Sequence, residues 1–206
     1  MTFGDKFFVR CMRTVLVLFA AGMGVSAGAD TDQTTPARWD LKQLMQSLAQ
    51  VKTAQSQFVE RKYLSILNAP LEFSGTLTYT APGRLEKRTL LPKPESMLLD
   101  QDQLTIENKN QQRRSLVLQD YPVVWAFVES IRSTLAGDLQ TLNRFYRVTL
   151  QGNADQWHLL LIPSGPQIQG VVKEIHISGS QNRISGIEII ETNGDRSVMT
   201  ITEDAP

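Results

Sequence analysis

The sequence predicts an α+β fold, in which one curled antiparallel sheet of about ten strands carries helices on its concave face. Three observations lead to this prediction. Apolar residues recur with helical spacing near the start of the chain and again in its middle. Elsewhere, apolar and polar residues alternate in short segments between polar turns, which is typical of strands joined by hairpins. Because strands twist, a sheet of this size curls, and amphipathic helices can then fill its concave side.

The predicted helices have recognisable ends. Asp40 is a good N-cap for a first helix, whose apolar positions are Leu41, Leu44, Met45, Leu48 and Val51. A second helix is predicted over residues 122–135, because Pro122 suits the first helical position and Gly137 can end the helix. Its apolar face consists of Val124, Phe127, Val128, Ile131 and Leu135. Asp138 can cap a third, short helix that carries Leu139, Leu142 and Phe145.

The predicted strands are short and are separated by turns that contain glycine, asparagine or proline. In the clearest case, Phe73, Gly75, Leu77 and Tyr79 alternate with small polar residues. Residues 81–83 then form a turn, and residues 84–91 form the returning strand. Pairs of alternating leucine and isoleucine residues mark two more strands, at 104–106 and 116–118. The remaining strands are predicted at residues 146–151, 156–162, 171–178, 184–191 and 197–202.

The first residues have the layout of a cleavable secretory signal. A basic start precedes an uncharged run over residues 14–25, and Ala27 and Ala29 form a signal-peptidase site. A membrane span is the alternative, but a span needs roughly 20 apolar residues and this run is shorter. We therefore expect a periplasmic protein with a removed signal at 1–29, a flexible segment at 30–38 and a single domain at 39–206.

The composition predicts a domain that is stabilised by its apolar core. The only cysteine, Cys11, leaves with the signal, so the mature chain forms no disulfide. The whole chain has 21 basic and 21 acidic residues, and the signal removes 3 basic and 1 acidic residue, which leaves 18 against 20. This balance excludes a strongly basic nucleic-acid or membrane-surface binder. Met1 and Met12 both stay open as the start of the protein.

No group of residues has the spacing of a catalytic, cofactor or metal site. His158 and His176 are the only histidines, each lies in a predicted strand, and a metal site needs further ligands. A G-x-S-x-G match at residues 24–28 lies inside the signal, without the strand that a nucleophile elbow requires. Glu60 with Lys62, and Glu86 with Lys87 and Arg88, are interpreted as charged outward faces. The sequence therefore predicts a protein that is not an enzyme and that binds no cofactor, metal or nucleic acid.

A set of short motifs resembles the LolA-like family of periplasmic lipoprotein carriers. The motifs are a leading helix, Phe58 with Glu60, Ser74-Gly75-x-Leu77, Pro82-x-Arg84, Pro92-x-Pro94 and Gly137-Asp138. The resemblance runs from Leu41 to about Thr202. It implies an unclosed β-barrel with a helical lid over a concave hydrophobic face. It also implies a monomeric carrier that takes acylated cargo from an inner-membrane donor to an outer-membrane acceptor.

The resemblance also implies which residues contact the cargo, although each of them is equally well explained as ordinary core. The candidate wall residues for lipid binding are Phe58, Phe73, Leu77, Tyr79, Leu85, Met97 and Leu99. The candidate lid residues are Leu44, Leu48, Val124, Phe127, Val128 and Ile131.

Two departures from the family pattern keep other functions open. Family members have an arginine before the turn proline that hydrogen-bonds the closed lid, and this chain has Ala81 there. We also expect the family's final strand and tail to be lacking. The alternatives are a carrier of a glycolipid or polyene-type lipid, and an envelope protein-interaction module with a dry interior.

Overall fold

The computed structural model describes residues 39–203, which form one antiparallel sheet of eleven strands with helices. The predicted signal and flexible segment lie outside the described residues. The helices are α1 (Leu41–Leu48), α2 (Pro122–Ala136), α3 (Leu139–Phe145) and α4 (Pro166–Gln169). The first six strands are β1 (Thr53–Tyr63), β2 (Leu71–Thr80), β3 (Arg84–Leu91), β4 (Glu95–Asp100), β5 (Gln103–Asn108) and β6 (Arg113–Val117). The other five are β7 (Tyr146–Gly152), β8 (Trp157–Pro163), β9 (Val172–Ser180), β10 (Arg183–Glu191) and β11 (Arg196–Glu203).

The sheet is open, and its strand order is β6-β5-β4-β3-β2-β1-β11-β10-β9-β8-β7. Two runs of hairpins, β1 to β6 and β7 to β11, meet where β1 pairs with β11. The first strand in the chain therefore lies in the middle of the sheet. Because β6 and β7 end the sheet without pairing to each other, the barrel is not closed. The predicted fold class is confirmed, with one strand more than the ten expected.

The helix ends follow the predicted capping residues. Asp40 accepts a hydrogen bond from the Gln43 backbone while the Gln43 side chain accepts one from the Asp40 backbone, which is a complete capping box. Gly137 ends α2 in the left-handed conformation, with φ of 67°. A side chain at Gly137 would also collide with the backbone oxygen of Met45, so α1 and α2 are in close contact here.

Two local predictions were wrong. Leu118 was expected in a strand, but β6 ends at Val117 and a short 3-10 helix begins at Leu118. The segment between the strands predicted at 156–162 and 171–178 was expected to be a loop, but it contains the helical turn α4, whose Ile168 packs into the apolar core. A single helical turn is too short to produce a periodic pattern, so the sequence carried no signal for it.

The apolar side chains facing the helices form two separate cores. The large core joins α1, α2, α3 and α4 to strands β7 to β9, and its buried residues are Leu44, Met45, Leu48, Ala126, Leu142, Tyr146, Trp157, Leu159, Leu161, Ile168, Val172, Ile175 and Ile177. The small core joins α2 to β4 and β5, with Leu99, Leu104 and Leu118 buried. Helix α2 contributes to both cores. The strands between the two cores, at the centre of the sheet, carry the candidate site.

Candidate functional site on the central strands

The predicted lipid-binding residues separate into three groups in the structure. Leu44 and Leu48 are buried in the large core, and Phe127 and Ile131 pack against it. The second group belongs to the small core or packs against it, and it consists of Leu85, Met97, Leu99, Val124 and Val128. The third group belongs to neither core, and it consists of Phe58, Phe73, Leu77 and Tyr79. Cargo contact stays a prediction for all of them, and within the third group Phe73 and Leu77 are accessible whereas Phe58 and Tyr79 are themselves buried.

The third group forms part of an apolar row across the central strands, which Glu60 interrupts between Phe73 and Met199. On β1, Phe58 is paired with Gly75 of β2 on one side and with Ile201 of β11 on the other. Met199 of β11 is paired with Glu60, two residues further along β1. Directly paired residues of an antiparallel sheet have their side chains on the same face. We call this surface the central strip, and it consists of Phe58, Phe73, Leu77, Tyr79, Met199 and Ile201.

The central strip is only partly covered. Phe58 and Tyr79 are buried, whereas Phe73, Leu77, Met199 and Ile201 are half-buried. Half-buried apolar side chains that pack against neither core are what an apolar ligand needs as a contact surface.

A group of charged side chains lies within the same surface. The carboxylate of Glu60 is 5% exposed, and it forms ion pairs with the ammonium groups of Lys87 and Lys62, the latter at 3.4 Å. The Ser197 hydroxyl donates a hydrogen bond of 2.6 Å to Oε1 of that carboxylate, the oxygen that Lys62 also contacts, whereas Lys87 contacts Oε2. Burial by itself would raise the pKa of Glu60, but the two ammonium groups and the hydrogen bonds from Lys87 and Ser197 outweigh burial and lower the pKa. Glu60 is therefore ionised at neutral pH.

The two lysines connect this charged group to the aromatic rings of the central strip. The ammonium of Lys87 lies 4.7 Å from the centre of the Phe58 ring, and that of Lys62 lies 5.3 Å from the centre of the Phe73 ring. Both distances are within the range of cation–π attraction. The lysine side chains are 25% and 42% exposed, so their ammonium groups reach the surface beside the apolar row. The site therefore combines an apolar surface with an adjoining polar one.

The sequence-based interpretation of Glu60 and Lys62 as an outward face was wrong. Residues two apart on a strand point to the same face, and Phe58 is buried, so Glu60 and Lys62 must share the inner face with it. The signal was therefore present in the spacing. The same interpretation was wrong for Lys87, which lies on the inner face against Glu60, because its direction depends on how β3 pairs with β2 and β2 with β1.

Comparisons with known proteins identify the family of the chain. The family model described as "Outer membrane lipoprotein carrier protein LolA-like" matches residues 33–205. The chain belongs to the LolA-like family. Among solved structures, it is similar to a LolA superfamily protein from Nitrosomonas europaea, with 10% identity, a TM-score of 0.43 and coverage of 79% of this chain and 93% of that one. It is also similar to a DUF1329 family protein from Desulfovibrio piger, with 12% identity, a TM-score of 0.44 and coverage of 80% and 91%. A search of curated proteins finds no match.

This LolA-like protein holds helix α2 against the sheet with an arginine that lies on the helix. Arg132 donates a hydrogen bond of 2.7 Å to the Gln101 carbonyl in the β4–β5 turn, and it forms an ion pair with the buried Glu129 on its own helix. A Cβ placed on Gly83 would lie 2.6 Å from Cδ of Arg132, so the β2–β3 turn packs on the arginine stem. The resemblance predicts an arginine on that turn, where Ala81 stands. In this chain, the arginine that links the helix to the sheet is Arg132, which lies on α2.

The two histidines lie on the outer face of the sheet and bind each other. Nε2 of His158 and Nδ1 of His176 are 2.8 Å apart. Burial and the neighbouring His176 lower the pKa of His158, and the Glu188 carboxylate opposes that shift. Among residues 39–203, no group of three or more His, Cys, Asp or Glu side chains is placed to hold a metal ion. The pair is on the opposite face from the central strip.

Two open hollows in the outer face are also unsuited to an acyl chain. Their volumes are about 330 and 740 Å³, and most of their lining side chains are polar or charged, such as Glu86 and Arg88, which line both. The central strip is therefore the better candidate. Within the described part of the chain, no helix is long and apolar enough to cross a bilayer.

Proposed function

We propose that this LolA-like protein is a periplasmic carrier that holds the acyl chains of a lipoprotein, or of another lipid amphiphile, on the central strip. The observation that carries the proposal is that half-buried apolar side chains of β2 and β11 pack into neither core. The family to which the chain belongs supports the lipoprotein as the cargo class. The secretory signal that the sequence predicts at residues 1–29 supports the periplasm.

The energetics of such a site are sufficient for reversible binding. Burying one methylene group contributes roughly 0.8 kcal/mol, so about ten methylenes contribute roughly 8 kcal/mol, which corresponds to micromolar affinity. The cost of ordering the chain and of opening the protein reduces this value. Cargo held at this strength can be handed on. In this proposal, the protein works as a monomer between an inner-membrane donor and an outer-membrane acceptor, and it catalyses no reaction.

A second candidate cargo is an amphiphile with a polar part close to its chains, such as a glycolipid or a polyene-type lipid. The charged group of Glu60, Lys62, Lys87 and Ser197 favours this candidate, because it places hydrogen-bonding groups next to the apolar row. The contrasting proposal is an envelope protein-interaction module with a dry interior. It is favoured by the nine predicted contact residues that lie in or against the two cores.

Dye binding tests the proposal. We expect delipidated, folded protein to bind a hydrophobic fluorophore, because the half-buried side chains of the central strip are accessible. A single-chain amphiphile below its micelle-forming concentration should displace the dye. Near-UV circular dichroism recorded on the same sample shows that the protein is folded. Failure of the folded protein to take up dye, or dye that no amphiphile displaces, would favour the dry module.

A further inference from the structure

The exposed apolar side chains are concentrated at one end of the sheet. Within residues 39–203, seven large apolar side chains are exposed, and five of them lie at the end where β1 leads into β2 and β3 leads into β4. These five form what we call the apolar rim, and their exposed fractions are 69% for Ile66, 42% for Leu67, 42% for Leu71, 55% for Leu90 and 63% for Leu91. A cluster of exposed apolar side chains lowers the solubility of a protein, and such a cluster is typical of an interaction surface.

The topology places the rim residues in two neighbouring parts of the chain, at the β1–β2 connection and at the end of β3. Ile66 and Leu67 lie in the β1–β2 connection, and Leu71 begins β2. Leu90 and Leu91 end β3, which pairs directly with β2. The other two exposed apolar residues lie elsewhere: Val59 is within β1, and Val117 is paired with Gln103 at the opposite end of the sheet.

The charges around the rim are balanced. Arg61 is paired with Glu72, and Arg113 is paired with Glu107. Among residues 39–203, Lys93 in the β3–β4 connection, Lys109 in the β5–β6 turn and Glu95 form no ion pair. Arg114 of β6 and the acids Glu191 and Asp195 at the β10–β11 turn also form no ion pair among residues 39–203, so the unpaired cations and acids at this end are equal in number.

We propose that the apolar rim inserts into the surface of a lipid bilayer, with Lys93 and Lys109 at the level of the head groups. The rim is wholly aliphatic, whereas the residues that dominate protein–protein binding are enriched in tryptophan, tyrosine and arginine. Aliphatic side chains next to lysines suit a membrane interface, because the chains enter the apolar layer while the ammonium groups stay hydrated.

The rim is continuous with the central strip. Leu71 and Phe73 are two residues apart on β2, so both side chains lie on the inner face, and Leu71 extends the apolar row outward. A bilayer at the rim would thus meet one end of the surface proposed to hold acyl chains. The membrane contact itself does not depend on that proposal, because the rim is exposed whether or not cargo is bound.

Flotation with vesicles of phosphatidylcholine and phosphatidylglycerol tests this inference. We expect the protein to float with the vesicles and the double variant Leu90→Ser/Leu91→Ser to lose about tenfold or more in vesicle affinity. The variant Ile66→Ser/Leu67→Ser, which changes the other loop, should show a similar loss. Val117→Ser removes an exposed apolar side chain at the opposite end and should bind vesicles as the unchanged protein does.

The outcomes separate this inference from the proposed function. All the substituted side chains are exposed, so the variants should keep their circular dichroism spectra and their ability to bind a single-chain amphiphile in solution. Failure of the unchanged protein to float would overturn the proposed membrane contact. The apolar rim would then be interpreted as a surface that binds another protein. Equal flotation of both loop variants and the unchanged protein would place any membrane contact elsewhere.

Discussion

Replacing Glu60 by alanine should destabilise the protein by about 3 kcal/mol. Removing one partner of a buried ion pair costs about 3–5 kcal/mol, because the other charge stays behind without compensation. Glu60 faces two ammonium groups and a hydroxyl, all of which lose their acceptor in this variant. We expect the lower end of the range, because Lys87 and Lys62 are partly exposed and can turn toward water.

Denaturant unfolding of the variant and of a matched control measures this effect. Glu72→Ala removes a carboxylate from β2, but the Arg61–Glu72 pair is exposed, with more than half of each side chain accessible. Exposed pairs contribute at most about 1 kcal/mol, so the control should change little. Equal free energies of unfolding for the two variants would contradict the buried position of Glu60.

The pH dependence of stability gives the same test a second readout. The pKa of Glu60 lies below its ordinary value of 4.5, so its ion pairs stabilise the fold above pH 4.5, and this stabilisation is lost as the pH falls through the lowered pKa. The stability difference between the unchanged protein and Glu60→Ala should therefore be full at pH 7 and shrink in acid. A difference that stays constant down to strongly acidic pH would mean that Glu60 makes no charged contacts.

The sequence predicted most elements of this fold well because most of them have a local signal, which the single turn of α4 lacks. The sequence predicts a strand at residues 84–91, where the structure has β3. Asp40, Pro122 and Gly137 predict helix ends at the positions where the structure has them. What could not be predicted is which apolar residues are core. Leu77 and Leu85 look alike in the sequence, yet only Leu85 packs against the small core. The difference depends on where α2 crosses the sheet, which is a tertiary property.

The largest effect on function is expected from Phe73→Glu. Phe73 is half-buried in the central strip and packs against neither core, so a carboxylate there should leave the protein folded. The ammonium of Lys62, 5.3 Å from the centre of the Phe73 ring, can pair with the new charge. The same carboxylate would have to be desolvated under an acyl chain, which is costly. We expect amphiphile affinity to fall by at least about tenfold, a loss of about 1.4 kcal/mol.

Phe127→Glu provides the comparison for this variant. Phe127 also carries a half-buried ring, but it packs against the large core, so a charge there should cost roughly 2–4 kcal/mol of stability. Thermal unfolding and amphiphile titration of both variants distinguish a binding surface from a core surface. Loss of folding in Phe73→Glu, or unchanged binding by it, would show that the central strip is ordinary core.

The central claim is that this LolA-like protein carries a lipid amphiphile in the cell, and native mass spectrometry of protein extracted gently from its own cells tests that claim most directly. The result we expect is a folded monomer with an added mass that dissociates on activation and is identified as an acylated lipid or lipoprotein. The added mass should be absent from Phe73→Glu isolated in the same way. The account would be contradicted if the protein without substitutions carried no bound amphiphile after extraction under conditions that keep lipids on other periplasmic carriers.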